Sequence, residues 1–157
     1  MKTIPLLRLM LAAVCMVSLA SARADDLRRL NTPMLPAYAQ ECGSCHLAFS
    51  PGLLPAQSWR RLMADLPRHF GSDASLDAPT TQAIATWLVA NAGTFKSVRE
   101  APPQDRITRS AWFVREHREI APATWQRASI KSPAQCAACH TQADAGSFRE
   151  REVRIPK

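Results

Sequence analysis

Apolar positions along the chain recur at helical spacing, and no stretch alternates convincingly with the period of two that a half-buried strand needs. Over 58–66, Trp59, Leu62, Met63 and Leu66 fall at i, i+3, i+4 and i+7, which predicts an amphipathic helix ended by Pro67. Asp77 is an N-cap residue with Pro79 in the first turn of a second helix. That helix runs to about Asn91, with Ile84, Trp87, Leu88 and Asn91 on one face and Gly93 as its stop. Pro36 starts a shorter helix with Tyr38 and Cys42 one turn apart, and the proline- and glycine-containing 47–56 reads as a loop. Further on, 107–120 predicts a helix with Phe113 and His117 one turn apart, flanked by Trp112, Glu116 and Ile120, and broken by Pro122. Residues 124–130 form a short helix or turn with Trp125 inward. Ser132-Pro133-Ala134-Gln135 matches a capping box opening a last short helix over 136–140. The tail from Gly146 is charged and predicted to lie on the surface. The whole is an all-α chain.

Between the helices, 95–105 changes character: it carries charges and Pro102-Pro103 with little apolar content. It reads as a linker between an N-terminal unit, 25–94, and a C-terminal unit, 106–157. Each unit is small for a generous core of its own. The first 24 residues are different again. Lys2 and Arg8 precede an apolar run over 9–20, and Ala22-Arg23-Ala24 fits a small-x-small cleavage pattern, so 1–24 reads as a secretory signal peptide. The run is shorter than the ~20 residues a membrane span requires. Val14 before Cys15 argues against a lipoprotein site, and Cys15 leaves with the signal.

The precursor has 20 basic and 13 acidic residues, a formal charge of +7. The signal carries Lys2, Arg8 and Arg23 and no acid, so the exported chain keeps 17 basic and 13 acidic residues, a net of +4. No Lys/Arg run is interleaved with aromatics as nucleic-acid binding would need.

The four cysteines of the exported chain all lie in two copies of one motif, Cys42-Gly43-Ser44-Cys45-His46 and Cys136-Ala137-Ala138-Cys139-His140. Cys-x-x-Cys-His is the attachment pattern of c-type haem. The thiols of Cys42 and Cys45, and of Cys136 and Cys139, add across haem vinyl groups as thioethers. His46 and His140 then lie under the ring and supply one axial nitrogen each. Cys-x-x-Cys also serves dithiol redox sites and zinc sites, but neither requires the following histidine. Two covalently bound haem c groups would supply apolar bulk that each unit lacks. Their four propionates would bring the chain close to neutral.

Two further histidines, His69 and His117, equal the number of open axial positions. Each stands 23 residues from a motif histidine, His69 after His46 and His117 before His140, so the second unit is not a tandem copy of the first. Pairing His46 with His69 and His140 with His117 fills both irons. Met63 and Met34 are the competing sixth ligands, although Met63 at helical spacing with Trp59 and Leu66 fits a core position. An open sixth position at one iron is the remaining alternative. Trp59, Trp87, Trp112 and Trp125 read as core packed against haem.

Four stretches together resemble the dihaem cytochrome c family: Trp59-Arg60-Arg61-Leu62-Met63; His69-Phe70-Gly71-Ser72-Asp73-Ala74-Ser75-Leu76-Asp77; Arg106-Ile107-Thr108-Arg109-Ser110-Ala111-Trp112-Phe113; and Cys136 to His140. The resemblance implies two domains with one haem each, the N-terminal one similar to a class I cytochrome c and the C-terminal one smaller and less regular. It implies bis-histidine ligation at His46 with His69 and at His140 with His117. It further implies a periplasmic protein that passes electrons to a small oxygen-binding monohaem cytochrome c, with a membrane cytochrome b as donor.

Two saturated irons leave outer-sphere electron transfer as the function, with no enzymatic step. The competing reading is a small haem enzyme or gas-binding sensor. That needs an open or labile iron and distal acid–base groups. The sequence holds no spare histidine for it, and Glu116, beside His117, could serve only if the ligand left.

Overall fold

A computed structural model of the chain describes residues 32–157. The signal expected over 1–24, with Cys15, lies outside the described residues, as does the start of the unit expected from residue 25. Helices and single 3-10 turns make up the described chain, and its only extended pairings are isolated bridges, His69 with Ser72 and His140 with Val153. None of the described helices is long and apolar enough to cross a membrane.

Three helices frame the N-terminal half. Helix α1, Pro36–Gly43, starts on proline, where the missing N–H costs nothing. Helix α2, Ala56–Ala64, follows Pro55 in extended backbone and buries Trp59 and Met63. Helix α3, Ala78–Ala90, is capped by the Asp77 carboxylate, which accepts the Thr80 N–H at 2.9 Å. α2 and α3 form the main helix pair. Tyr38, Leu54, Trp59, Met63, Leu66, Ile84, Leu88 and Ala92 join in one buried cluster, so Met63 is core. Trp87 lies half-buried at its margin, 5.2 Å from the Tyr38 ring.

Two details differ from the sequence reading. The loop over 47–56 is part of the core. Pro51–Leu53 makes a 3-10 turn, Pro51, Gly52 and Leu54 are buried, and the Trp59 indole N–H donates to the Pro51 carbonyl at 2.8 Å. An apolar side chain at 54 is worth burying, and the tryptophan satisfies a carbonyl that burial would otherwise orphan. Gly93 is not the helix stop. Asn91 ends α3, its amide donating to the Trp87 carbonyl at 2.8 Å. Gly93 instead permits a close approach: a Cβ there would collide with the Gly52 carbonyl and Val98, while its N–H donates to Leu54 at 2.8 Å.

The segment 95–105 packs onto this half. Val98 and Pro102 are buried, and Arg61 on α2 holds Asp105 in a bidentate pair at 2.6 and 2.8 Å. Gln104 and Asp105 both have positive φ, a strained turn for non-glycine residues that the Arg61 clamp supports. Ile107 also leans on the N-terminal cluster.

The C-terminal half is made of shorter pieces. The single helix expected over 107–120 is divided at Ser110. Ile107–Arg109 is a 3-10 turn, and the Ser110 hydroxyl donates to Ile107 at 2.7 Å and accepts the Phe113 N–H at 3.3 Å. Serine at this place caps a new helix rather than continuing an old one. That helix, α4, covers Ala111–Glu116 and ends at His117. Pro122 starts the one-turn helix α5, Pro122–Trp125, as its first residue, where it ends no hydrogen-bond ladder. The capping box at 132–135 does not form. Lys131 turns through positive φ, the Ser132 hydroxyl accepts the Ala134 N–H at 3.3 Å in a tight turn, and Cys136–Ala138 is a 3-10 turn with no side-chain cap. Phe113, Ile130 and Ala143 are buried here, outside the N-terminal cluster.

The charged tail lies on the surface, as expected, but is anchored there. It returns across the second motif: the Arg154 N–H donates to Cys139 at 2.8 Å, the Thr141 hydroxyl to Glu152 at 2.9 Å, and Arg127 to the Pro156 carbonyl at 2.7 Å.

Candidate functional site

The chain brings its four histidines together as two pairs. His46 follows α1 after one turn, and His69 follows the turn Leu66–Arg68 that α2 leads into. Their ring centres stand 6.2 Å apart. His117 caps the C-terminal end of α4, and His140 follows the turn Cys136–Ala138; their ring centres stand 6.1 Å apart. Among the described residues no ring contact joins a histidine of one pair to one of the other.

These separations can be compared with an axial pair on one metal ion. Metal–nitrogen bonds of about 2 Å on each side, plus about 1 Å from each nitrogen to its ring centre, place two such imidazoles roughly 6 Å apart. The spacing therefore suits an iron between the rings. Electrostatics agree with neutral nitrogen ligands. Burial, then the neighbouring His46 and Arg106, push His69 below the ordinary histidine range, and burial, then His117, do the same for His140.

Each pair has one firmly held histidine. His46 shares a 2.7 Å hydrogen bond with the Leu47 carbonyl and stacks on Phe49, with centres 5.0 Å apart and planes 28° apart. His117 shares a 2.9 Å hydrogen bond with the Phe113 carbonyl and stacks on the Phe113 ring at 4.0 Å and 20°. In each case Nδ1 faces a carbonyl, which fixes it as the N–H and leaves Nε2 as the ligand atom. The partners, His69 and His140, have buried Nδ1 atoms with no protein hydrogen bond, and so does the Trp112 indole N–H. Buried polar atoms without a protein partner mark places where a further group or water completes the site.

Around the rings stand Phe70, 4.8 Å from His69 and itself covered by the Arg106 guanidinium at 4.1 Å; Trp125, 5.8 Å from His117; and Phe148, 5.2 Å from His140. The motif cysteines see different surroundings. Cys42 is partly buried and its thiol is pushed up to about 11 by burial and by Glu41. Burial raises Cys136 and Cys139 too, but Arg127 partly offsets this at Cys139. Among the described residues no three His, Cys, Asp or Glu side chains converge as direct ligands of a metal ion. Phe49 and Phe148 went unmarked in the sequence reading, and Arg106 entered it only within a stretch that carries the family resemblance. Phe49 carried only the signal of following a motif histidine by three residues.

Comparison with known proteins gives the same direction. The family profile for dihaem cytochrome c matches residues 38–148. The chain is similar to the solved diheme cytochrome c of Shewanella baltica, at 41% identity over 79% of this chain and 94% of that one, with a TM-score of 0.69. It is similar also to the diheme cytochrome c of Rhodobacter sphaeroides, at 44% identity over 73% of this chain and 97% of that one, with a TM-score of 0.65. No curated protein matches it.

Proposed function

The chain belongs to the dihaem cytochrome c family, and from that premise we propose that it is a periplasmic bis-histidine electron carrier rather than an enzyme. As a dihaem cytochrome c it carries two covalently bound haem c groups and serves electron transfer. In the proposed assignment Cys42 and Cys45 attach one haem and Cys136 and Cys139 the other. His46 with His69, and His140 with His117, are the axial ligands. The observation that carries this reading is the pair of histidine separations, 6.2 and 6.1 Å, which use all four histidines of the sequence.

When bound, each haem supplies an iron that takes up or releases one electron. The chain's own residues fix the conditions. His46 and His117, each turned by a carbonyl and an aromatic face, present one defined nitrogen. Phe49 and Phe113 each cover one face of a held imidazole, and ligand basicity and its hydrogen bonding tune the potential. A second imidazole in place of a thioether favours a low potential. Residues 25–94 and 106–157 would act as one haem unit each, with 95–105 as the packed connection. The partners we propose, a small oxygen-binding monohaem cytochrome c as acceptor and a membrane cytochrome b as donor, rest on the family resemblance.

Carbon monoxide tests the assignment. The ferrous holoprotein should bind none, whereas His69→Ala and His117→Ala should each bind one equivalent and turn about half of the ferric spectrum high-spin. Stoichiometric binding by the parent would overturn the saturated-iron reading and favour a gas-binding or enzymatic role.

A further inference from the structure

The two histidine pairs share a separation but not an orientation. The planes of His46 and His69 are 25° apart, while those of His117 and His140 are 76° apart. The local cause differs in each unit. In the first, the firmly held member is the motif histidine, with Phe49 against its face. In the second it is the lone histidine. The Phe113 ring lies 4.0 Å from His117 and nearly parallel to it, and the carbonyl of the same Phe113 receives its Nδ1. Phe113 is itself fixed: it is 7% exposed, the capping hydroxyl of Ser110 takes its N–H, and Trp112 and Trp125 flank it at 5.9 and 6.3 Å. His117 thus cannot rotate about its Cβ–Cγ bond without losing both a stack and a hydrogen bond.

We infer that Phe113 is a positioning residue that sets the ring plane of His117, so that the two haem irons of this chain have different axial fields, near-parallel imidazoles in the first unit and near-perpendicular ones in the second. This rests on the bis-histidine assignment above. The physical consequence follows from ligand-field symmetry. Parallel imidazole planes interact with one of the two iron d orbitals of π symmetry more than with the other and separate their energies. Perpendicular planes act on both alike and bring them together. The orientation therefore reaches the iron with no change of ligand atom, through residues that never touch the metal.

Low-temperature electron paramagnetic resonance of the ferric holoprotein tests this directly. The parent should show two low-spin species in equal amounts, one a fully resolved rhombic signal and one a strongly anisotropic signal with a single prominent low-field feature. Phe113→Leu, which removes the stack, should move or broaden the strongly anisotropic signal and leave the rhombic one in place. Phe113→Tyr, which keeps the stack, should preserve both. Phe49→Leu should do the reverse of Phe113→Leu. Two rhombic signals in the parent would overturn the inference, and so would a Phe113→Leu protein that retains both haems with an unchanged spectrum. The parent measurement stands whether or not the variant folds. A high-spin signal in the parent would instead mark failure of the bis-histidine assignment, which is a separate outcome.

Discussion

Residues 36–92 bury eight apolar side chains in one continuous cluster, whereas residues 106–157 bury Phe113, Ile130 and Ala143 apart from it. The first half has three helices of eight to thirteen residues to carry that cluster. The longest helix in the second half has six residues. Yet the two halves place their histidine pairs at almost the same separation, 6.2 and 6.1 Å. The same histidine separation is therefore reached by two routes. One unit mounts its histidines on a self-sufficient helical frame. The other holds them by turns, a one-residue cap at Ser110, aromatic stacking and a returning tail. In the proposed assignment of one haem to each unit, the second has correspondingly more to gain from the apolar faces of the ring.

Removing covalent attachment should separate the halves most. In Cys139→Ser, residues 106–157 should lose amide-exchange protection almost entirely while α2 and α3 keep theirs; in Cys45→Ser, α2 and α3 should retain partial protection. Exchange read by mass spectrometry, with haem counted per chain, checks both. Equal loss in the two variants would break the comparison. Next comes Leu88→Ala, which leaves a cavity in the N-terminal cluster and should cost about 2–5 kcal/mol in the denaturation of that half. Ile130→Ala should be felt only in the C-terminal half. Deleting 154–157 removes the Arg154 bond to Cys139 and the anchor of Arg127. It should destabilise the second unit by about 1–2 kcal/mol and speed exchange at Cys139 and His140, with no change at His46.

The smallest effect belongs to the Arg61 clamp on Asp105. The hydrogen bond from Arg61 holds the Asp105 carboxyl below its ordinary value. A carboxyl whose folded pKa is depressed stabilises the fold above its unfolded pKa of about 4 and ceases to do so as pH falls through the folded value. Asp105→Asn should thus differ from the parent at neutral pH and converge with it in acid. Because Arg61 is largely exposed, raised salt should shrink the difference.

Much of the N-terminal half could be read in advance because its helices are long enough to show a period. Trp59, Met63, Ile84 and Leu88 all occupy the predicted core face, and Asp77 caps as its position suggested. What escaped the reading were features made by tertiary contact. The burial of 51–54 depends on a tryptophan eight residues away, and the role of Gly93 on a carbonyl more than forty residues away. In the second half the pieces are too short for periodicity to decide. Ser110 reads equally as helix interior or as cap, and Ser132 as a cap or as a turn residue, until the surrounding chain chooses. The candidate site was readable for another reason. Its residues are chemically rare in this chain, and four histidines for four positions left little freedom. Their ring planes were not readable at all, since these depend on which aromatic stands against which imidazole.

The returning tail has a consequence for assembly. A chain completed amino end first presents the buried cluster of the first unit once residue 92 is out, with 95–107 following to pack against it, and domains commonly fold as they appear. The second unit has to wait. Its motif is joined by Arg154, Thr141 is satisfied by Glu152, and Arg127 is anchored by Pro156, so the final strap arrives only with the last few residues. In the exported carrier proposed above, the order in which the chain emerges would close the first unit before the second.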